Sequence, residues 1–371
     1  MLLFVLCTVG LLYVLAGYPL LLALLARWHA KPSIVSPRGT SAVPYVSILL
    51  PVYNGERWLR DKLECIFALA YPREKMQVVV VADGCTDRTV EIASRYPVEL
   101  IQIPKSGKAK ALNHAMEQAR GEILFLTDVR QSLDTEALRR LIARFDDPKV
   151  GVVTGELIIL DGTTHEEANV GMYWKYEKWI RKHLSQVDSV LGATGCIYAM
   201  RRALARPLPD GVLLDDVHLP MQVFFAGYRI VMEEQAIAYD LPTGLQAEFW
   251  RKVRTQAGIY QLMRHFPLLW PGTRMWIHFV SYKFGRLMLP FLLVGVAIGS
   301  MLLPDPLRWV VLAGQGLFYG LAIGNRWIPA DGAGIVKTLS AAAASFVVLV
   351  GAALCASAVL FVPAERLWRT R

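Results

Sequence analysis

In the run VVVVADGCTDRT, Asp83 closes an apolar stretch just before a glycine. A carboxylate at such a place can accept hydrogen bonds from a ligand lying across a sheet edge. Asp-Gly is also ordinary turn chemistry, and Asp87 or Thr86 could cap the helix that follows. Asp128 ends a comparable run, ILFLTDVR, where a lone carboxylate is placed to hold a divalent cation bridging diphosphate oxygens. Two aspartates closing two different strands point into one crevice, which local turn preference does not explain.

The segment PKSGKAKALNHAMEQA puts Lys108 and Lys110 in the first turn of a helix, where the positive end of the macrodipole disfavours cations. A phosphate near Lys105, Lys108 and the helix amides would offset that, whereas solvated lysines would simply cost ~0.3 to 1 kcal/mol each. In LLDDVHLPMQVFFAGYR, Asp215 and Asp216 precede an apolar helical stretch, and one of them is expected to be its N-cap. Paired carboxylates raise each other's pKa, so the second could act as a general base toward an attacking hydroxyl, with His218 flanking. Arg251 and Arg254 in EFWRKVRTQAGIYQ share a helix face, with Gln261 beyond them, and could clamp a diphosphate or bind lipid headgroups. Tyr173, Trp174, Tyr176 and Trp179 could stack on a sugar, a role that a membrane-interface belt or a domain core would equally explain.

These groups need a frame. From Tyr45 to Asp147, short β-branched runs alternate with amphipathic patterns, as in parallel-sheet units. Strands are predicted at Val46–Leu50, Gln77–Ala82, Val98–Ile103 and Ile123–Thr127, too apolar for one-sided burial and too short for helices. Helices are predicted at Arg57–Ala70, Asp87–Arg95, Lys108–Ala119 and Thr135–Phe145. Further strands at Val150–Glu156, Cys196–Arg201 and Arg229–Met232 would complete the domain.

The chain of 371 residues is 54% hydrophobic and only 19% charged, an apolar excess that one globular domain does not explain. Met1–Leu25 carries no Asp, Glu, Lys, Arg or His and is long enough to cross a bilayer, which takes about 20 apolar residues. It lacks the basic start and the short apolar core of a signal peptide, so it reads as an anchor. His278–Leu303, Leu307–Ile323 and Ile335–Val362 read as further spans, broken by Pro304, Pro306 and Pro329. Arg27, Lys31 and Arg38 on one side and Arg264, Arg274, Lys283 and Arg286 on the other place the intervening region in the cytoplasm. Four spans would put the C-terminus outside, against the preference of Arg366, Arg369 and Arg371, so one stretch could lie along the interface. The net charge of +9 lies largely beside these spans, which favours lipid headgroups over nucleic acid as partner. Cys7, Cys65, Cys85, Cys196 and Cys355 form no CxxC pair and suggest neither zinc nor a disulfide framework.

Taken in order, VSILLPVYNGERWL, ADGCTD, GKAKALNHA, LTD, GATGCIYAMRR, LLDD and RKVRTQAG resemble the family 2 glycosyltransferases. The likeness is to bacterial membrane-anchored members related to cellulose, hyaluronan and poly-N-acetylglucosamine synthases. The resemblance implies an α/β, GT-A (Rossmann-like) glycosyltransferase domain flanked by transmembrane α-helices. Its expected layout is an N-terminal helix at 1–26, a catalytic domain at 45–265, and interfacial and transmembrane helices at 273–363. It further implies that Val52, Tyr53 and Glu56 border the nucleotide, that Asp83 contacts its base or ribose, and that Lys108 contacts its phosphates. Asp128 corresponds to the metal-binding carboxylate of the D-x-D region, for magnesium or manganese. Asp216 corresponds to the catalytic base of the T-E-D motif, Asp215 to the acid before it, and Arg251 and Arg254 to the Q-x-x-R-W region that embraces the diphosphate. The sequence departs from these patterns in having Val129 and Arg130 after Asp128, Thr194 within GATG, and Arg251 and Thr255 for the Gln and Trp of Q-x-x-R-W.

The expected activity is an inverting transfer from a nucleotide-sugar, a UDP-sugar in first place, to a saccharide acceptor in cell-surface polysaccharide synthesis. The enzyme would sit in a bacterial inner membrane with its catalytic domain cytoplasmic, open to export or synthase partners. One alternative is single-sugar transfer to a polyprenyl or other lipid acceptor. Another is a non-catalytic, nucleotide-binding subunit of a synthase complex. A transporter fits less well, because the spans hold few ionisable groups.

Overall fold

A computed structural model describes residues 1–31, 43–160, 165–241, 245–328 and 334–362, and the side chains of these except at 165–175, 245, 246 and 248. Arg38, Pro329, Arg366, Arg369 and Arg371, which entered the topology expectation, lie outside the described residues, as do the side chains of Tyr173 and Trp174.

The chain begins with α1 (Leu2–Leu12) and α2 (Tyr18–Trp28), continuous through a π-helical turn at Tyr13–Gly17. Then β1 (Val46–Val52), α3 (Glu56–Phe67), β2 (Met76–Asp83), α4 (Thr89–Ala93), β3 (Glu99–Ile103), α5 (Lys108–Gln118) and β4 (Ile123–Leu126) alternate. The first four predicted strands therefore form, within a residue or two at their ends. A second stretch follows with β5 (Ser132–Leu133), α6 (Ala137–Ala143), β6 (Val150–Ile159), α7 (His165–Val187), β7 (Tyr198–Arg201), α8 (Asp215–Phe225) and β8 (Arg229–Asp240). The chain closes with α9 (Leu245–His265), α10 (Trp276–His278), α11 (Gly285–Met301), α12 (Leu307–Gly324) and α13 (Gly334–Ala356). Helix α7 has no counterpart among the predicted elements, and β8 runs eight residues beyond the expected end at Met232.

Contacts group the chain into two units. An α/β unit comprises Ala26–Leu160 and Arg181–Leu241, and a helical unit comprises Met1–Leu25, Asp161–Ile180 and Pro242–Arg371. The α/β unit is built on an eight-stranded sheet of order β3-β2-β1-β4-β7-β6-β8-β5. Strands β3, β2, β1 and β4 are mutually parallel, so the chain leaves all of them at one edge, where Asp83 ends β2 and Asp128 follows β4. Strand β7 runs antiparallel to β4, with Tyr198 opposite Leu126, so the start of β7 returns to that edge. Both faces of β1, β2 and β4 are covered, which is why these strands are apolar throughout rather than alternating. On one face, Leu59, Leu63 and Ile66 of α3 pack with Ile48, Leu50, Val78 and Val80 in a single core cluster.

Among the described residues, four helical stretches are long and apolar enough to cross a membrane: Leu2–Trp28, Trp276–Met301, Leu307–Trp327 and Gly334–Leu360, with mean hydropathies of 2.2, 1.7, 1.3 and 2.3. Gly295 and Gly299, one helical turn apart, let α1 press against α11. A Cβ at these positions would stand 2.3 Å from Cys7 Sγ and 2.7 Å from the Phe4 backbone nitrogen. Glu177 of α7 accepts a 2.7 Å hydrogen bond from Arg286 Nη1 and another from the Tyr282 hydroxyl. Burial pushes the Glu177 carboxyl up, but Arg286 and Lys283 outweigh it and hold it well below the ordinary carboxylate range.

Candidate active site

The loops leaving β1 and β2 are woven together. Asp87 accepts from the Glu56 amide at 2.9 Å and the Thr89 amide at 3.0 Å, so one carboxylate serves the starts of both α3 and α4. The Glu56 side chain in turn accepts from the Arg88 amide at 2.9 Å. The N-cap of α4 is Arg88, so Asp87, expected as its cap, instead sits one residue earlier and serves that helix start through the Thr89 amide; the second helix it serves is additional. Val52 is buried at the end of β1, whereas Tyr53 is exposed and receives Lys105, whose Nζ lies 2.9 Å from the phenol oxygen.

Asp83 spends both carboxylate oxygens on the next loop, accepting from the Ser106 amide at 2.6 Å and the Gly107 amide at 2.9 Å. Gly84 makes this approach possible. Its φ is +65°, and a Cβ there would lie 2.5 Å from the Lys105 backbone nitrogen. The loop so fastened delivers Lys108 at the first position of α5, with Gly107 as N-cap.

Lys108 Nζ donates to Asp128 Oδ1 at 2.9 Å and to Asp215 Oδ2 at 3.0 Å. The anionic offset expected for a lysine at a helix start is thus supplied by carboxylates of the chain itself. Burial disfavours the ammonium, but Asp128, Asp215 and Asp216 together outweigh it and hold Lys108 protonated well above the ordinary lysine value. Lys110 instead pairs with Asp210 at 3.2 Å, both well exposed, an arrangement worth little.

Asp215 and Asp216 occupy the first turn of α8, and the N-cap is Leu214, with no side-chain cap. This corrects the expectation that one of the pair caps the helix. Both carboxylates lie inside it, where the macrodipole favours negative charge. Asp216 is held from the β7 side. Its carbonyl accepts from the Ala193 amide at 2.7 Å, and a Cβ on Gly195 would come within 2.9 Å of Asp216 Oδ2. Arg130, at the third position of the D-x-D region, is bound to the buried Asp240, which also accepts from Gln131 at 2.9 Å. The second carboxylate facing Asp128 therefore comes from Asp215, not from its own loop.

Among the described residues, no group of three or more His, Cys, Asp or Glu side chains is arranged to cage a metal. Two carboxylates converging on one cationic head group are hard oxygen donors of the kind that suit a divalent cation.

Two residues beside these groups escaped the sequence reading. Lys62 lies on the buried face of α3 and donates at 2.7 Å to both Thr127 Oγ1 and the Gln131 carbonyl, fixing the segment that carries Asp128. The spacing Leu59, Lys62, Leu63, Ile66 could have revealed it, because it places the lysine inside the apolar stripe. Burial lowers its pKa to about 8 from 10.5, with Cys65, Cys196 and Asp128 pulling the other way. Between those pH values the unfolded chain holds a proton that the folded chain has released, so stability through this group rises with pH. Thermal unfolding in detergent should show wild type gaining on Lys62→Met by up to about 3 kcal/mol across that window. A gap that stayed constant would contradict this.

Tyr198 is fully buried, and its hydroxyl has no hydrogen-bond partner among the described residues. Burial first, then Asp215, Asp216 and Asp128, push its phenol well above the ordinary value. Tyr198→Phe removes no bond, so its melting temperature should equal or exceed that of wild type. A clear loss of stability would mean that the hydroxyl is bonded.

The α/β unit therefore brings together Asp128, Lys108, Asp215 and Asp216, with Asp83 securing the loop that carries the lysine. Arg251 and Arg254 belong to α9 in the helical unit, the first half-buried and the second exposed. Tyr176 and Trp179 also belong to that unit, and the Arg286 guanidinium lies over the Tyr176 ring at 5.8 Å.

An α/β sheet with acids and a lysine gathered at the carboxyl edge of its parallel strands is the arrangement of a nucleotide-binding α/β domain. Comparison with known proteins narrows this. Residues 47–208 match the family described as glycosyl transferase family 2. The glycosyltransferase AglE of Haloferax volcanii is 32% identical over 211 residues, 53% of this chain and 67% of that protein. The poly-beta-1,6-N-acetyl-D-glucosamine synthase of Staphylococcus aureus (strain COL) is 24% identical over 233 residues, 60% of this chain and 56% of the synthase, so the chain spans little more than half of that relative. The structure of the mannosyltransferase PcManGT from Pyrobaculum calidifontis, in complex with GDP-Man and Mn2+, matches with a TM-score of 0.72. That match covers 98% of this chain and 99% of that one at 21% identity, and shows a shared fold of GT-A type with accompanying helices. The chain belongs to glycosyl transferase family 2.

Proposed function

We propose that this protein is a membrane-bound inverting glycosyltransferase that moves a sugar from a nucleotide-sugar to an acceptor hydroxyl. The observation that carries this reading is the Lys108 ammonium held 2.9 Å from Asp128 and 3.0 Å from Asp215, with Asp216 next along the same helix. Such a cluster suits a diphosphate, a cation and a base in one place. In this reading Val52, Tyr53, Glu56 and Asp83 border the nucleoside, and Lys108 meets the diphosphate. Asp128, with Asp215 opposite, would hold magnesium or manganese. The cation, when bound, would neutralise charge developing on the departing diphosphate. Asp216 accepts the proton of the acceptor hydroxyl as its oxygen attacks the anomeric carbon in line with the leaving group. Asp215 stays paired with a cation, which leaves Asp216 to act as base.

The four membrane-length helices among the described residues support a membrane-bound enzyme, and the flanking Arg27, Lys31, Arg264 and Arg274 favour a cytoplasmic catalytic domain. A saccharide acceptor in cell-surface polysaccharide synthesis agrees with the synthase relative. Arg251 and Thr255, in place of the Gln and Trp of Q-x-x-R-W, favour as second reading a single transfer to a polyprenyl-linked acceptor. Full-length protein in detergent, given Mn2+ or Mg2+, UDP- and GDP-sugars, and saccharide or polyprenyl phosphate acceptors, should release nucleoside diphosphate with one donor. Product length then separates polymer from single transfer. Binding of nucleoside diphosphate with no donor consumed under any combination would instead establish a non-catalytic subunit.

A further inference from the structure

We propose that Lys108 is the resting counter-ion of the cation site, so that a divalent cation enters between Asp128 and Asp215 only as a diphosphate draws the ammonium away. The proposal rests on the nucleotide-sugar reading above and concerns how that site is loaded. One ammonium lies 2.9 Å and 3.0 Å from carboxylates that come from two different elements, the segment after β4 and the first turn of α8. A small hard cation seeks oxygens at about 2.1 Å and repels a neighbouring ammonium, so the two cannot hold the same pair of oxygens together.

The backbone beneath the lysine is fixed. Asp83 grips the Ser106 and Gly107 amides at 2.6 Å and 2.9 Å, so the exchange needs only the flexible four-carbon stem to turn. A lysine is a mobile point charge that serves carboxylate and phosphate alike. Its nearest charged neighbours on the same segment are engaged elsewhere, Lys105 with Tyr53 and Lys110 with Asp210. Cation and diphosphate then bind with positive coupling, because each removes what obstructs the other, and by linkage the coupling is reciprocal.

The test is a Mn2+ titration of full-length protein in detergent, read by loss of the free-ion electron paramagnetic resonance signal, with no phosphate compound present. Lys108→Met and Lys108→Gln should each bind Mn2+ about tenfold more tightly than wild type, or better. Lys110→Met, which removes the same charge two residues away, should bind as wild type does, and Asp128→Asn added to Lys108→Met should abolish the gain. Thermal melting confirms that each variant is folded. Equal Mn2+ affinity in wild type, Lys108→Met and Lys108→Gln overturns the proposal, as does an equal gain in Lys110→Met. Binding of UDP and GDP to wild type is measured separately. If neither binds, the nucleotide-sugar reading itself fails, whatever the Mn2+ comparison shows.

Discussion

Turnover of the Asp216→Asn protein should fall about 10² to 10⁴-fold while its affinity for donor stays near that of wild type. The asparagine keeps the size and hydrogen-bonding shape of the side chain but cannot take a proton. The backbone that holds residue 216 is untouched, since the Ala193 amide binds its carbonyl at 2.7 Å and Gly195 leaves room for the side chain. The neighbouring pair of Asp215 with Lys108 at 3.0 Å also survives, so the loss belongs to proton transfer and not to folding. Steady-state kinetics with a direct donor-binding measurement would check it. Normal turnover in Asp216→Asn would remove the base from the mechanism.

Asp128→Ala should behave differently. It removes the carboxylate proposed to carry the cation, and with it one of the two partners of Lys108. Loss of one preorganised electrostatic group at a developing charge typically costs about 10² to 10³-fold in turnover. Here the donor KM should rise as well, because a cation held there would also help to bind the donor's diphosphate. Raising Mn2+ or Mg2+ should recover little. Arg130 cannot substitute, being cationic and bound to Asp240. An Asp128→Ala protein with unchanged metal dependence would show that the cation, if any, sits elsewhere.

The parallel half of the sheet was legible because its strands are buried on both faces. Val46–Val52 and Met76–Asp83 have no exposed residue, so they appear as unbroken apolar runs between turn residues. Helix α7 was not, because HEEANVGMYWKYEKWIRKHLSQV mixes charges and aromatic rings without a clean apolar stripe. The extension of β8 was hidden by Glu233, Glu234 and Gln235, which interrupt its apolar pattern where the pairing with β6 also shifts register. In the site, Asp128, Lys108, Asp215 and Asp216 could each be singled out from local spacing. Their mutual arrangement could not, because it depends on α5, α8 and the end of β4 meeting at one sheet edge. Local rules placed a phosphate beside Lys108. Long-range packing put a pair of aspartates there, and likewise turned Lys62 from an amphipathic helix's polar residue into a buried tie beneath Asp128.

In this reading one diphosphate, one cation and one base meet at this edge. A structure of the full-length protein bound to a nucleoside diphosphate and Mn2+ tests it most directly. The metal is expected on Asp128, the diphosphate within hydrogen-bond reach of Lys108, and Asp216 facing the side from which an acceptor would approach. Nucleotide and metal bound away from Asp128 and Lys108 would contradict it.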